Sequence, residues 1–255
     1  MEERISSRKN PLLQQVKKLL TSRAERRKTG LFVADGTKLL EEAVKYWPGL
    51  QTVILSEGVE ADVPEGVRIV RVPEDVMASI SPMETPQGAL FLCRLPEKKA
   101  FVPQPGMLLL DGIQDPGNLG TIIRVADWFG IRHIFCSIGT TDAFSPKPVQ
   151  ASMGAVARVQ MHYVDLPQYL SSLRSHHPQV PIYGTFLEGN NIYKEPLSTH
   201  GIIIMGNEGN GIGTAVAQHI THKLFIPNFP EGCVTSESLN VAIATAITCS
   251  EFRRR

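Results

Sequence analysis

Three stretches of the sequence place chemically useful residues directly after apolar runs. The first, LLLDGIQDPGNLGTIIRVADWFG over 108–130, leads from a strand-like run into Asp111 and a Gly/Pro/Asn-rich loop, then into a helix carrying Asn118 and Arg124. Arg124 has Ile122, Ile123, Val125 and Ala126 as neighbours. A guanidinium in apolar surroundings costs energy unless it meets an anion or several acceptors, so Arg124 reads as ligand-facing. Asn118 has a plainer reading as a cap or turn residue. The second stretch, IIIMGNEGNGIG over 202–213, empties into Gly206, Gly209, Gly211 and Gly213, with Asn207 and Glu208 among them. Glycines let main-chain N–H and C=O groups approach a ligand that a side chain would hold off. Their spacing is neither the dinucleotide GxGxxG nor the GxxxxGK[ST] phosphate loop. The third, LFIPNFPEGCVTSESLNVAIATAI over 224–247, ends a strand at Ile226-Pro227 and enters a helix through Ser236, Ser238, Leu239 and Asn240. Ser236 or Ser238 is expected to cap that helix. Asn240, polar in an apolar run, reads as a buried amide in need of a partner such as a ligand.

These segments need a scaffold, and the apolar periodicity supplies one. A helix is expected from Asn10-Pro11, with Leu12, Leu13, Val16, Leu19 and Leu20 as its apolar stripe. Strands follow at 31–34, 52–56 and 90–93, with helices at 38–46 and 74–80. Residues 96–106, PEKKAFVPQPG, hold three prolines and read as a semi-rigid linker. Beyond it, strands are expected at 107–110, 133–137, 182–186, 202–205 and 223–226, and helices at 119–129, 166–175 and 239–252. Apolar strands alternating with helices predict a mostly parallel sheet covered on both faces. The chain therefore divides into a small N-terminal α/β domain, 1–95, the linker, and a larger α/β domain, 107–255.

Composition narrows the function classes. The 255 residues are 42% hydrophobic, which excludes a disordered chain, and no apolar run reaches the length of a membrane span. The N-terminus lacks the apolar core of a signal peptide, and Cys93, Cys136, Cys233 and Cys249 show no paired spacing, so reduced thiols and a cytoplasmic location are expected. His219 and His222 have no third ligand near them in sequence, and no metal site is expected. The net charge of +1 conceals a division: residues 1–30 hold nine basic and three acidic side chains, a net of +6, and the rest carries −5. Arg8, Lys9, Lys17, Lys18, Arg23, Arg26, Arg27 and Lys28 are read as an RNA-facing arm, with a solvated helix face as the alternative. Arg253, Arg254 and Arg255 make a second basic spot.

Taken in order, the Asn118…Arg124 pair, the Gly206–Gly211 loop with Glu208, and the Ser238-Leu239-Asn240-Val241 run resemble the SpoU/TrmH-type RNA 2′-O-ribose methyltransferases of the SPOUT superfamily. The segment ASMGA at 151–155 resembles that family's connecting segment. FVADGTKLLEEAV at 32–44 is similar to the ribosomal-protein-like substrate-binding domain often fused ahead of it, with Asp35 where a Glu is usual. The loop 228–235 is longer than in most members.

The resemblance implies a deep trefoil knot in the C-terminal domain, which the general rarity of knots would not have suggested. It further implies a homodimer, and S-adenosylmethionine held against Gly206, Asn207, Gly211, Ile226, Pro227 and Leu239. Arg124 takes the leading catalytic part, supported by Asn118, Glu208, Ser238 and Asn240. The implied reaction is 2′-O-methylation of RNA; the appended N-terminal domain favours ribosomal RNA. Two alternatives stay open: the same reaction on tRNA, and a non-catalytic RNA-binding protein with a degenerate methyltransferase fold. A nucleotide-dependent oxidoreductase is disfavoured by the missing dinucleotide fingerprint.

Overall fold

The computed structural model describes residues 2–97, 107–230 and 232–254. Two compact units emerge: the described residues of 1–98 together with 142–158, and those of 99–141 with 159–255. The expected 107–255 domain is therefore interrupted, because 142–158 packs with the first sheet. Residues 98–106, most of the expected linker, lie outside the described residues.

The first unit is built on a five-stranded mixed sheet, with strand order β1-β4-β3-β5-β2. Its strands are β1 (Glu2–Arg4), β2 (Leu31–Asp35), β3 (Leu50–Ser56), β4 (Arg68–Val72) and β5 (Ala89–Arg94), and its first helices are α1 (Pro11–Thr21), α2 (Arg23–Thr29), α3 (Thr37–Tyr46) and α4 (Glu74–Ile80). The expected helix at 10–20 forms for the expected reasons. Asn10 caps it by accepting from the Leu12 N–H at 2.9 Å, Pro11 takes the first helical position, and Leu13, Val16 and Leu19 are buried. β1 and β4 escaped the apolar pattern. Glu2-Glu3-Arg4 is an exposed edge strand held through ion pairs, Glu3 with Arg68 and Glu2 with Arg71, so no apolar alternation marks it.

Residues 1–30 are part of this unit and do not form a separate arm. Arg8 pairs with Asp75 on α4 at 2.6 Å. Arg26 departs from the RNA-facing reading altogether. It is 4% exposed, pairs with Asp142 at 2.8 Å and donates to the Leu19 carbonyl, because α2 turns that face onto α1 and the 142–158 segment. Lys9, Lys18, Arg27 and Lys28 are exposed, and Lys17 and Arg23 are half-buried. The 142–158 segment, with α6 (Pro146–Ala151), is further fixed by the Phe144 ring against Phe32 and by Arg158 paired with Glu42.

The second unit is a six-stranded parallel sheet of order β11-β9-β10-β6-β7-β8. Its strands are β6 (Leu108–Leu110), β7 (His133–Ser137), β8 (Gln160–Val164), β9 (Ile182–Asn191), β10 (Ile202–Met205) and β11 (His222–Phe225). Its helices are α5 (Pro116–Trp128), α7 (Leu166–His176), α8 (Thr214–Ala217) and α9 (Val241–Arg254). The central strands β6 and β10 are buried throughout, as their unbroken apolar runs require. β8, reading QMHYV, is an edge strand whose mixed composition hid it from the apolar pattern. The basic C-terminus continues α9 to Arg254, which pairs with Glu251; Arg253 donates to the Phe129 carbonyl at 2.8 Å. Arg255 lies outside the described residues.

Candidate active site

The middle of β9 and the C-terminal ends of β10 and β11 open into one cavity of about 820 Å³, and strand C-terminal ends are where ligand sites are expected on open parallel sheets. Gly206, Asn207, Gly211, Ile226, Pro227 and Leu239 all line it, as do Glu208 and Ser238.

The glycine loop closes on itself. Asn207 and Gly211 exchange main-chain hydrogen bonds at 2.8 and 3.0 Å. A Cβ at Gly206 would lie 2.3 Å from the Gly211 carbonyl carbon and 2.4 Å from the Ile212 nitrogen, so only glycine fits there. Gly211 itself adopts φ +66°, a conformation that side chains disfavour. Asn207 serves the loop: Oδ1 accepts from the Gly209 and Asn210 N–H groups at 2.8 and 3.0 Å, and Nδ2 donates to the Gly112 carbonyl at 2.6 Å. Asp111 adds a second tie, accepting from the Gly213 N–H at 2.9 Å. Sequence reasoning noticed Asp111 only as a strand end, since nothing local shows that its partner lies 102 residues away.

The three motif segments meet through side-chain amides. Asn240 Nδ2 donates to Asn118 Oδ1 at 2.9 Å, and Asn118 Nδ2 donates to Glu208 Oε1 at 3.0 Å. Asn240 is exposed, contrary to the buried amide expected, and it caps α9: its Oδ1 accepts from the Ala242 and Ile243 N–H groups at 2.9 and 3.3 Å. The cap therefore belongs to Asn240, because the helix starts at Val241, too far along for Ser236 or Ser238. At α5 the cap is Asp115, which accepts from the Asn118 N–H at 2.7 Å and leaves the Asn118 side chain free for Glu208 and Asn240.

Arg124 stands apart. It is exposed, makes no hydrogen bond or ion pair among the described residues, and does not line the cavity. Its sequence neighbours mislead because α5 turns Ile122, Ile123 and Ala126 inward while Thr121, Arg124 and Trp128 face out. The sequence reading also ended β9 early. Phe186, Leu187 and Glu188 run on from it into the cavity wall, and Lys223 Nζ lies 5.1 Å from the Phe186 ring centroid. The 228–235 loop contributes Asn228 and Thr235 to the wall, and Asn228 Nδ2 holds the Cys233 carbonyl at 2.7 Å. Among the described residues, no cluster of His, Cys, Asp or Glu is arranged to hold a metal ion.

Residues 105–250 match the model of the SpoU rRNA methylase family. The chain belongs to the SpoU rRNA methylase family. Residues 10–90 match an MRM3-like substrate-binding domain. The chain is 35% identical to the 23S rRNA (guanosine(2553)-2′-O)-methyltransferase RlmP of Bacillus subtilis, over 98% of this chain and 99% of that protein. A putative TrmH-family RNA methyltransferase from Porphyromonas gingivalis superposes with a TM-score of 0.82 at 40% identity, covering 95% of this chain and 96% of its own. The S-adenosylmethionine-bound rRNA methyltransferase of Sinorhizobium meliloti superposes with a TM-score of 0.84 at 27% identity, covering 99% and 98%. The SpoU chain described here is thus an RNA methyltransferase with S-adenosylmethionine as its cofactor. The site fits that cofactor: a glycine at 206 that admits no Cβ, chain along β9 and just after β10 and β11, and apolar Ile226 and Leu239 make a cavity for an adenosyl group recognised through its edges.

Proposed function

We propose that the protein transfers a methyl group from S-adenosylmethionine to a ribose 2′-hydroxyl of ribosomal RNA, working as a homodimer in the cytoplasm. The unit of residues 1–95 with 142–158 binds the RNA, and that of 107–141 with 159–255 carries the methyl transfer on a knotted α/β domain. The observation that carries the reading is the Asn240–Asn118–Glu208 chain, which ties the three motif segments together beside the cavity. The name of the Bacillus relative supports the 2′-O position and the ribosomal substrate.

Bound in the cavity, S-adenosylmethionine supplies an electrophilic methyl on its sulfonium. The chain's own residues must then hold the ribose in line and ease loss of the hydroxyl proton. Arg124 cannot be the base, because a guanidinium stays protonated at any working pH. It is suited instead to gripping the phosphate or hydroxyl oxygen of the substrate and lowering the hydroxyl's pKa. Asn118, fixed from both sides, orients the ribose; the Glu208 carboxylate at the cavity wall accepts the departing proton, and the Ser238 hydroxyl, also in the wall, hydrogen-bonds to the ribose. Arg124, exposed and outside its own chain's cavity, and Trp128, 84% exposed on the same helix, support pairing of two copies.

The direct test is to map 2′-O-methylated positions in total RNA from cells with and without the gene. One ribosomal position lost on deletion and restored by the wild-type gene is the expected result. An unchanged ribosomal map with a lost tRNA methylation would move the substrate to tRNA.

A further inference from the structure

A second cavity, of about 310 Å³, lies in the first unit, at the lower end of the ~300–1,000 Å³ typical of ligand sites. Its walls include Leu20 of α1, Pro82 and Met83 after α4, and Pro146 of α6. Asp35, the last residue of β2, lines it and is 4% exposed. The Ser81 hydroxyl donates to Asp35 Oδ2 at 2.5 Å, whereas Oδ1 is buried with no hydrogen-bond partner among the described residues. Gln150, also in the wall, uses its side-chain amide in no hydrogen bond among the described residues.

A buried carboxylate oxygen without a donor is costly, and native proteins rarely keep one without a reason. Burial pushes the Asp35 carboxyl above its ordinary pKa, against the opposing hydrogen bond from Ser81. The missing partner must be a hydrogen-bond donor, and a carboxylate repels phosphate, so an anion is excluded. What fits apolar walls and an acceptor together is a flat apolar body with N–H groups on its edge. An unstacked nucleobase has that form, and single-stranded RNA is commonly read through such edges. The surroundings suit the rest of a nucleotide chain. Lys147 lines the cavity itself, and α1, which supplies Leu20 to its wall, also carries Lys17 and Lys18.

We propose that this cavity binds an unstacked RNA base, guanine by preference, through its N–H edge to Asp35 Oδ1. Guanine offers N1–H and N2–H donors beside the O6 acceptor, and the Gln150 amide can donate to O6. The inference rests on the RNA-methyltransferase reading and places a base-reading contact in its substrate-binding part.

The test uses the full chain labelled with ¹³C at methionine methyls, titrated with GMP, AMP, CMP and UMP. Saturable shifts of the Met83 methyl, tightest with GMP, are expected. Asp35→Asn keeps the shape and the Ser81 bond but turns a donor toward the cavity; it should weaken GMP at least tenfold while its melting temperature holds or rises. Gln150→Leu, which leaves the buried carboxylate itself intact, should weaken GMP and narrow its advantage over AMP. No Met83 shift with any nucleotide, or equal binding of GMP by wild type and Asp35→Asn, overturns the proposal. An equal response to all four nucleotides overturns it as well, since it would reflect stacking alone. RNA methylation is measured on the same samples: a protein that methylates RNA but ignores GMP lacks only this base site, and one that binds GMP without methylating RNA sinks the enzymatic reading instead.

Discussion

The cavity at the ends of β10 and β11 and the cavity beside Asp35 differ in what makes them specific. The first includes a wall of main chain. Its glycine loop is closed by an Asn207–Gly211 pair, and its tightest point, Gly206, has no room for a side chain. The second depends on individual side-chain atoms, above all one unpartnered carboxylate oxygen. A wall of main chain tolerates many sequences provided its glycines stay, whereas a wall of side chains can be altered by exchanging one atom. The same contrast runs through the reading proposed for the first site, in which main chain holds the cofactor and side chains at and beyond its edge do the chemistry.

That division predicts separable losses. The largest effect is expected from Arg124→Ala, which removes the cation proposed to grip the substrate and should cut methyl transfer by about 10²–10³-fold or more. Arg124 does not line the cavity, so S-adenosylmethionine binding by calorimetry should stay close to wild type. A variant that turns over normally, or one that loses cofactor affinity together with turnover, breaks the division between wall and chemistry.

Gly206→Ala should act in the opposite sense. The new Cβ would press on Gly211 and Ile212, at a cost of about 1–3 kcal/mol for overpacking. Cofactor affinity should fall first, with turnover at saturating S-adenosylmethionine less affected. Unchanged affinity would show that the loop yields and that the main-chain wall is less rigid than its hydrogen bonds suggest.

The smallest effect concerns the sheet edge away from the cavity. His133 Nδ1 and His162 Nε2 lie 3.1 Å apart on β7 and β8, and their rings stack. Burial lowers the pKa of both, and His133 lowers His162 further. Groups held neutral in the fold stabilise it fully above their unfolded value of about 6.5, and that stability is lost as pH falls through the lowered folded values. The melting temperature should therefore drop on acidification below about pH 6.5. His162→Phe, which keeps the stack against Phe135, should flatten that slope; an unchanged slope would place the acid sensitivity elsewhere.

How much of this was legible in the sequence varies by element. The central strands and long helices were, because burial on both faces or along one stripe leaves unbroken apolar runs or a 3.6-residue period. β1 and β8 were not: an edge strand held by ion pairs or mixed side chains carries no such mark. The motif residues were legible as a set through their order, and the structure brings eight of the expected site residues to one cavity wall and joins Asn118, Glu208 and Asn240 in one chain. Their separate reasons were less accessible. Asn240 looked buried and is an exposed cap, Arg124 read as ligand-facing on the strength of apolar neighbours that α5 turns away from it, and Arg26 looked RNA-facing and lies inside an ion pair.

The sequence by itself determined the family, the α/β class, the cofactor and the glycine loop, because each is written in local composition or in motif order. Only the tertiary structure decided which polar groups are satisfied. Asp111 with Gly213, Asn118 with Glu208 and Arg26 with Asp142 are pairs separated by 90 residues or more. So is the membership of 142–158 in the first unit, and so is the one oxygen of Asp35 left over once Ser81 has taken the other. Hydrogen-bond partnership depends on distances of about 3 Å that chain folding sets, and no spacing along the sequence encodes them.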